Sequence, residues 1–249
     1  MALLVQRITI IAAPFAALVV ACTAFGVASP SDTGDDPDAT PPISDGSSEE
    51  LPSLDGGGGD AADPCSGATF CETFDTGSIE EMAARWGKVE NIGGLAIVTE
   101  GGRRALESRL KVGDQQARLQ HVLGEIAAAT EVTVRAVVKA LSPTGTYELF
   151  TLDLFKGNDS AGDYAVQSKD GKLTVDDTTT ATTVADGQWH TIDVRITAAE
   201  VSFVIDGKES GRQATSRSSA SFLLAAGAYT VSPLSATVRI DFIRVDVKP

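Results

Sequence analysis

A chain of 249 residues that is 43% apolar can bury one substantial core, and its 6% aromatic content leaves Val, Thr, Ile and Leu to fill it, as in a β-protein. The formal charge of −14 is unevenly spread: residues 31–63 hold ten acids and no base, and without these acids and Arg7 the remainder carries −5. Neither part offers a basic stripe, which excludes nucleic acid and an anionic membrane surface as charge-driven partners.

The first segment, residues 1–21, reads as an export signal, with Arg7 followed by an apolar run from Ile8 to Ala21. The run ends in Val19-Val20-Ala21-Cys22, which resembles the bacterial lipobox. That resemblance implies that Cys22 receives diacylglycerol and becomes the mature N-terminus, so that the membrane is reached through the lipid anchor only. Two other readings stay open: an uncleaved apolar anchor, since the stretch runs on to Val27, and cleavage after Ala28. Thr23 follows the Cys where Asp would favour inner-membrane retention. By resemblance to lipoprotein sorting, this implies an outer-membrane or cell-surface location in the cell envelope. Residues 22–63 then read as a disordered linker, because acids, Pro, Gly and Ser bury too little surface to offset chain entropy.

The folded domain is expected over residues 64–249. Cys65 and Cys71 are the thiols left once Cys22 is lipidated, and an exported pair six residues apart most simply forms a disulfide pinning a first strand over 68–74. Ser78 and Glu81 have capping-box spacing, and Ile79, Met82 and Trp86 fall on one face of the short helix that follows. Strands are predicted at 95–99, 104–112, 116–123 and 130–140. The last has Val132, Val134, Ala136 and Val138 on one face and Glu131, Thr133, Arg135 and Lys139 on the other. Residues 147–155 are apolar at both parities, the pattern of a central strand covered on both faces. A hairpin over 164–168 and 172–175 turns at Asp170-Gly171. Strands at 221–230 and 238–247 close the chain, and the phase change after Phe242 predicts a β-bulge.

The stretch that organises the domain is Trp189 to Glu209. His190, Ile192, Val194 and Ile196 share one strand face, Val201, Phe203 and Ile205 another, and Asp206-Gly207 supplies a tight turn. This WH…DG pattern resembles the laminin-G-like and concanavalin A-like jelly-roll domains of secreted proteins, as does the FCETFD run at 70–75. The expected fold class is therefore all-β, an antiparallel sandwich with one short helix.

The resemblance implies a lectin-like role: binding of a polysaccharide or glycoconjugate, or surface adhesion. A sugar site on such a sandwich presents an aromatic with amides and carboxylates, and Tyr147, Asp153, Tyr164 and Gln167 are the candidates. Jelly-roll glycosidases carry E-x-D-x-x-E on one strand, and the nearest match is Glu148 with Asp153. Those acids are five apart, so an unbulged strand points them to opposite faces, and no catalytic set is assigned. His121 and His190 sit on the apolar sides of their strands, as hydrogen-bonded core or edge residues do. Calcium is the one cofactor to weigh, at Asp159 and Asp163, in a stretch that reads first as an ordinary polar turn. A polysaccharide-degrading enzyme and a non-catalytic interaction module remain the alternatives.

Overall fold

The structure is a computed structural model and describes residues 63–125, 129–156, 159–175, 178–215 and 221–249. The export signal, Cys22 and all of the 22–63 linker except Asp63 lie outside the described residues. Two antiparallel sheets face each other. The first contains β13 (Lys208–Ala214), β12 (Glu200–Ile205), β11 (His190–Thr197), β6 (Glu131–Ala140), β15 (Ala236–Lys248), β4 (Arg103–Leu110) and β3 (Leu95–Glu100), with β1 (Phe70–Glu72) pairing onto β15. The second runs β10 (Thr178–Thr183), β9 (Lys172–Val175), β8 (Asp159–Lys169), β7 (Thr146–Lys156), β14 (Ser221–Tyr229), β5 (Gln116–Glu125) and β2 (Lys88–Glu90).

The core lies between the layers because alternate residues of each strand are apolar. Val132, Val134, Ala136 and Val138 of β6 meet the same core cluster as Ala117 and Leu119 of β5 and Phe222, Leu224 and Ala226 of β14. The organising hairpin forms as expected, with Ile192 opposite Ile205 and Asp206 in the left-handed region at φ 51°. One polar side chain ties the layers together. Ser108 of β4 is fully buried; its hydroxyl donates to the Ala117 carbonyl of β5 and accepts from the Ala228 amide of β14 at 2.8 Å.

Helix α1 (Ile79–Trp86) starts at the expected capping box. The Ser78 hydroxyl accepts from the Glu81 amide at 3.3 Å, and the Glu81 carboxylate accepts from the Ser78 amide at 2.8 Å. Trp86 packs in the core, 1% exposed, edge-on to Phe70. Cys65 and Cys71 form a disulfide across a Cα separation of 5.4 Å, at the entry to β1. The phase change in β15 is a bulge between Ile240 and Phe242, where the register with β6 slips.

Three strands escape the periodicity reading: β2, β10 and β13. Each lies at the edge of its sheet. Their sequences, KVE, TTTATT and KESGRQA, carry polar residues and Gly where an inner strand carries alternating apolar ones. An edge strand is held by backbone pairing on one side and needs little core-facing surface, so no period-two signal marks it.

Candidate functional site

The site is built on β7, whose sequence TYELFTLDLFK is apolar at both parities. Double coverage is not the cause. Leu149 and Phe150 are consecutive, and both are buried in the core. The register explains it: Glu148 pairs with Gln167 and Phe150 with Val166, so Leu149 is the extra residue of a β-bulge. Tyr147 and Leu149 point inward before the bulge; Phe150, Leu152 and Leu154 do so after it. The outward set is Glu148, Thr151 and Asp153. Glu148 and Asp153 therefore share a face, which corrects the expectation drawn from an unbulged strand. Thr151 confirms the geometry by donating its hydroxyl to Glu148 Oε2 at 2.6 Å.

Strand register arranges the outward side chains of the second sheet into three rows that cross the strands. In the first, Glu90 and Arg118 align with Gly227, and across a register shift in β14 the row continues from Tyr229 through Glu148 and Gln167 to Thr174. The middle row holds Gln120, Ala225, Thr151 and Ala165, and the third Val122, Leu223, Asp153 and Asp163. The middle row is recessed between longer neighbours. Apart from exposed Lys88, which stands opposite Gln120 at the sheet edge, its members are only 1–5% exposed although they lie on an outer face.

Arg118 reaches Glu148 across β14, with guanidinium Nη1 3.4 Å from Oε2. Gly227 stands opposite Arg118 with φ 121°, and a Cβ there would meet the Ala117 carbonyl oxygen at 2.5 Å and Arg118 Cα at 3.0 Å. Glycine thus permits the close approach of β14 to β5 and leaves no side chain in the path of the guanidinium. The same group lies 4.8 Å from the centre of the Tyr229 ring.

This environment displaces the acids from their ordinary behaviour. Burial pushes the Glu148 carboxyl up to about 7; Thr151 and Arg118 pull it down, while Asp163 and Asp153 add to the rise. Burial also raises Asp153, against the pull of Arg118 and with the support of Asp163, which stands directly opposite on β8. Among the described residues four buried side-chain atoms have no hydrogen-bond partner: Trp86 Nε1 and Ser168 Oγ elsewhere in the fold, and Arg118 Nε and Gln120 Oε1 on this face. A buried donor and a buried acceptor two residues apart on one strand are costly to leave unmade.

Among the sugar candidates, Asp153 and Gln167 fall on this face. Tyr147 and Tyr164 do not. Both are 1% exposed with rings in the core; Tyr147 donates to the Ser142 carbonyl, and the Tyr164 hydroxyl bonds Thr215 at 3.1 Å. Their place as ligand aromatics is corrected, because both share parity with core residues of their strands. Arg118, Gln120 and Glu148 were not among the candidates, although the alternation of β5 marks Arg118 and Gln120 as its outward pair.

The histidines are held structurally. His121 bonds the Trp86 carbonyl at 3.3 Å and stacks on Phe70 at 4.2 Å. His190 bridges Asp206 at 2.8 Å and Asp186 at 3.1 Å. Burial lowers its pKa, but the two carboxylates outweigh that and leave it raised. Asp163 is exposed at the end of the third row, and the side chain of Asp159 lies outside the described residues. Among the described residues, no three His, Cys, Asp or Glu side chains gather as a metal site would require.

Residues 156–237 match the Laminin G domain. Among solved structures, the chain is similar to a conserved carbohydrate esterase from the Shiga toxin-encoding bacteriophage phi24B, at 16% identity and a TM-score of 0.53, over 73% of this chain and 99% of that one. It is also similar to a sialidase at 14% identity and a TM-score of 0.53, covering 72% of this chain but 18% of the sialidase. A third likeness, to alginate lyase A1-II′, has 12% identity and a TM-score of 0.52 over 62% of this chain and 83% of that one. Among curated proteins, no sequence matches. At these identities the likeness is one of fold: a laminin G-like jelly roll of the concanavalin A class, whose solved neighbours include carbohydrate-active proteins.

Proposed function

We propose that this chain is an exported, lipid-anchored envelope protein whose jelly roll binds a glycan across the outer face of its second sheet. The observation that carries the reading is the pairing of a buried, unpartnered donor with a buried, unpartnered acceptor beside a recessed row. A sugar hydroxyl is both donor and acceptor, so one class of group satisfies Arg118 Nε and Gln120 Oε1 together. Asp153 and Gln167 border the same row and extend the polar lining. The Cys65–Cys71 disulfide agrees with an oxidising compartment outside the cytoplasm, and the anchor rests on Cys22.

The test is a glycan array probed with the full-length chain and with its Gln120→Leu variant. Binding that falls at least tenfold in the variant supports the reading, and silence across the array removes it. Mass spectrometry of the membrane fraction tests the anchor, which an unmodified mature Cys22 would exclude.

A second reading, a glycan-cleaving enzyme, is favoured by one observation. Glu148 is poised near neutrality with a second carboxylate, Asp153, on its own face, the two kinds of group that acid–base cleavage of a glycosidic bond employs. Product release that stops in Glu148→Gln while binding persists would select this reading over simple recognition.

A further inference from the structure

We infer that two copies of this chain associate through β3, joining their first sheets edge to edge by antiparallel pairing about a two-fold axis. An edge strand presents unpaired amides and carbonyls, and folded proteins blunt such edges with charge, bulges or brevity. The two sheets have four edges. β13 carries Lys208, Glu209 and Arg212, and its register with β12 shifts between Phe203 and Val204. β10 is irregular too, with a shift between Thr179 and Thr183, and its Thr178 hydroxyl donates to Gln213 of β13, so these two edges lie together on one flank. On the other flank, β2 is only three residues long. β3 has none of these devices. Its sequence, LAIVTE, is β-prone, holds no Lys, Arg or Pro, and keeps its single acid at the end. It pairs with β4 over six residues without a shift, and no strand among the described residues pairs with its far side.

The turn between β3 and β4 fixes which main-chain groups look outward. Gly101 and Gly102 both have positive φ, 56° and 85°, as a two-residue hairpin turn requires, so the flanking Glu100 and Arg103 form a hydrogen-bonded pair. Alternation then turns the main chains of Val98 and Ala96 toward β4, and those of Ile97 and Thr99 toward the open side. A second copy meets these groups with the same pattern. With Ile97 opposite its own counterpart, Ala96 stands opposite the partner's Val98 and Leu95 opposite the partner's Thr99, so apolar side chains line both faces of the seam. Glu100 falls opposite the partner's Gly94, so no two acids meet, and its carboxylate is already engaged by Lys139 and Arg239 at 3.0 Å each. This matching of β3 to itself singles out a second copy over an unrelated peptide. Residues of like parity face each other, so the second sheets of both copies lie on the same side of the joined sheet, and the contact is isologous.

The experiment is sedimentation equilibrium of the full-length chain over a roughly hundredfold concentration range that reaches on the order of 100 μM, where a dimer with a Kd on the order of 10 μM is expected. Hydrogen exchange read over residues 95–100 should slow at the Ile97 and Thr99 amides as concentration rises. In Thr99→Pro the dimer weakens by about tenfold or more, because proline deletes an amide that pairs only across the seam. Ala96→Lys, at an exposed position opposite Glu107 of β4, weakens it to a similar degree by supplying the charge that β3 lacks. Glu209→Gln, on the opposite edge of the same sheet, leaves the association as in the native chain. The inference is overturned if the native chain stays monomeric at the highest concentration, if exchange in β3 does not change with concentration, or if the dimer survives unweakened in either variant. The exchange measurement decides on the native chain alone, whether or not a variant folds. None of these outcomes bears on glycan binding.

Discussion

The two outward faces of the sandwich differ in how their polar groups are satisfied. On the first sheet, acids and bases alternate and meet. Arg135 pairs with Asp193, Glu131 holds both Arg195 and Lys248, and Arg239 bridges Glu107 and Glu100. On the second sheet the middle row from Gln120 to Ala165 is small and buried, and a donor, Arg118 Nε, and an acceptor, Gln120 Oε1, are left without partners. The first face is electrostatically closed; the second is unfinished. Buried polar groups are normally paired, and this difference between the faces is what the proposed binding surface rests on.

The largest expected effect comes from Glu148. Its value in the folded state, about 7, lies above the ordinary 4.5, so the folded protein holds this proton longer than the unfolded chain does. The advantage is in place below the unfolded value and is lost as pH rises through about 7, at a cost of about 3 kcal/mol. Urea melts of the native chain between pH 4.5 and pH 8 should show this decline, and Glu148→Gln should flatten it. An equal slope in the variant would erase the contrast between the faces.

A smaller loss is expected at Gly227. Alanine there must adopt a left-handed backbone and press on the Ala117 carbonyl, so Gly227→Ala should cost about 2 kcal/mol in urea melts. It should also weaken glycan binding, since β14 can no longer approach β5 so closely beneath Arg118. The smallest effect belongs to the closed face. The Arg135 side chain is 57% exposed despite its 2.6 Å contact with Asp193, so Arg135→Ala should cost under about 1 kcal/mol and leave glycan binding unchanged. A loss of binding there would place the working surface on the wrong sheet.

How much of this was legible in the chain depended on burial. Inner strands such as β6 and β11 announce themselves because every second residue must be apolar. The β15 bulge could be read because its apolar set changes phase visibly at Phe242. The bulge in β7 could not, because Leu149-Phe150 continues an apolar run and hides the phase change. That concealed residue brings Glu148 and Asp153 onto one face, so the face's acid chemistry was misread along with it. Tyr147 and Tyr164 were chosen for their chemistry, although strand parity already placed Tyr164 with core Val166. Parity equally marked Arg118 and Gln120 as outward, but nothing in sequence shows that Arg118 Nε and Gln120 Oε1 find no hydrogen-bond partner there. That absence arises between strands distant in the chain.

Ser108 has a consequence for the outer face of the second sheet, which it never touches. Its hydroxyl, rooted in one layer, bonds β5 at Ala117 and β14 at Ala228, the immediate neighbours of Arg118 and Gly227. The second layer cannot slide over the first without breaking both bonds of a fully buried hydroxyl. The outer face of the second sheet is thereby set in advance, so any ligand it takes would meet a rigid template whose ordering was completed when the chain folded.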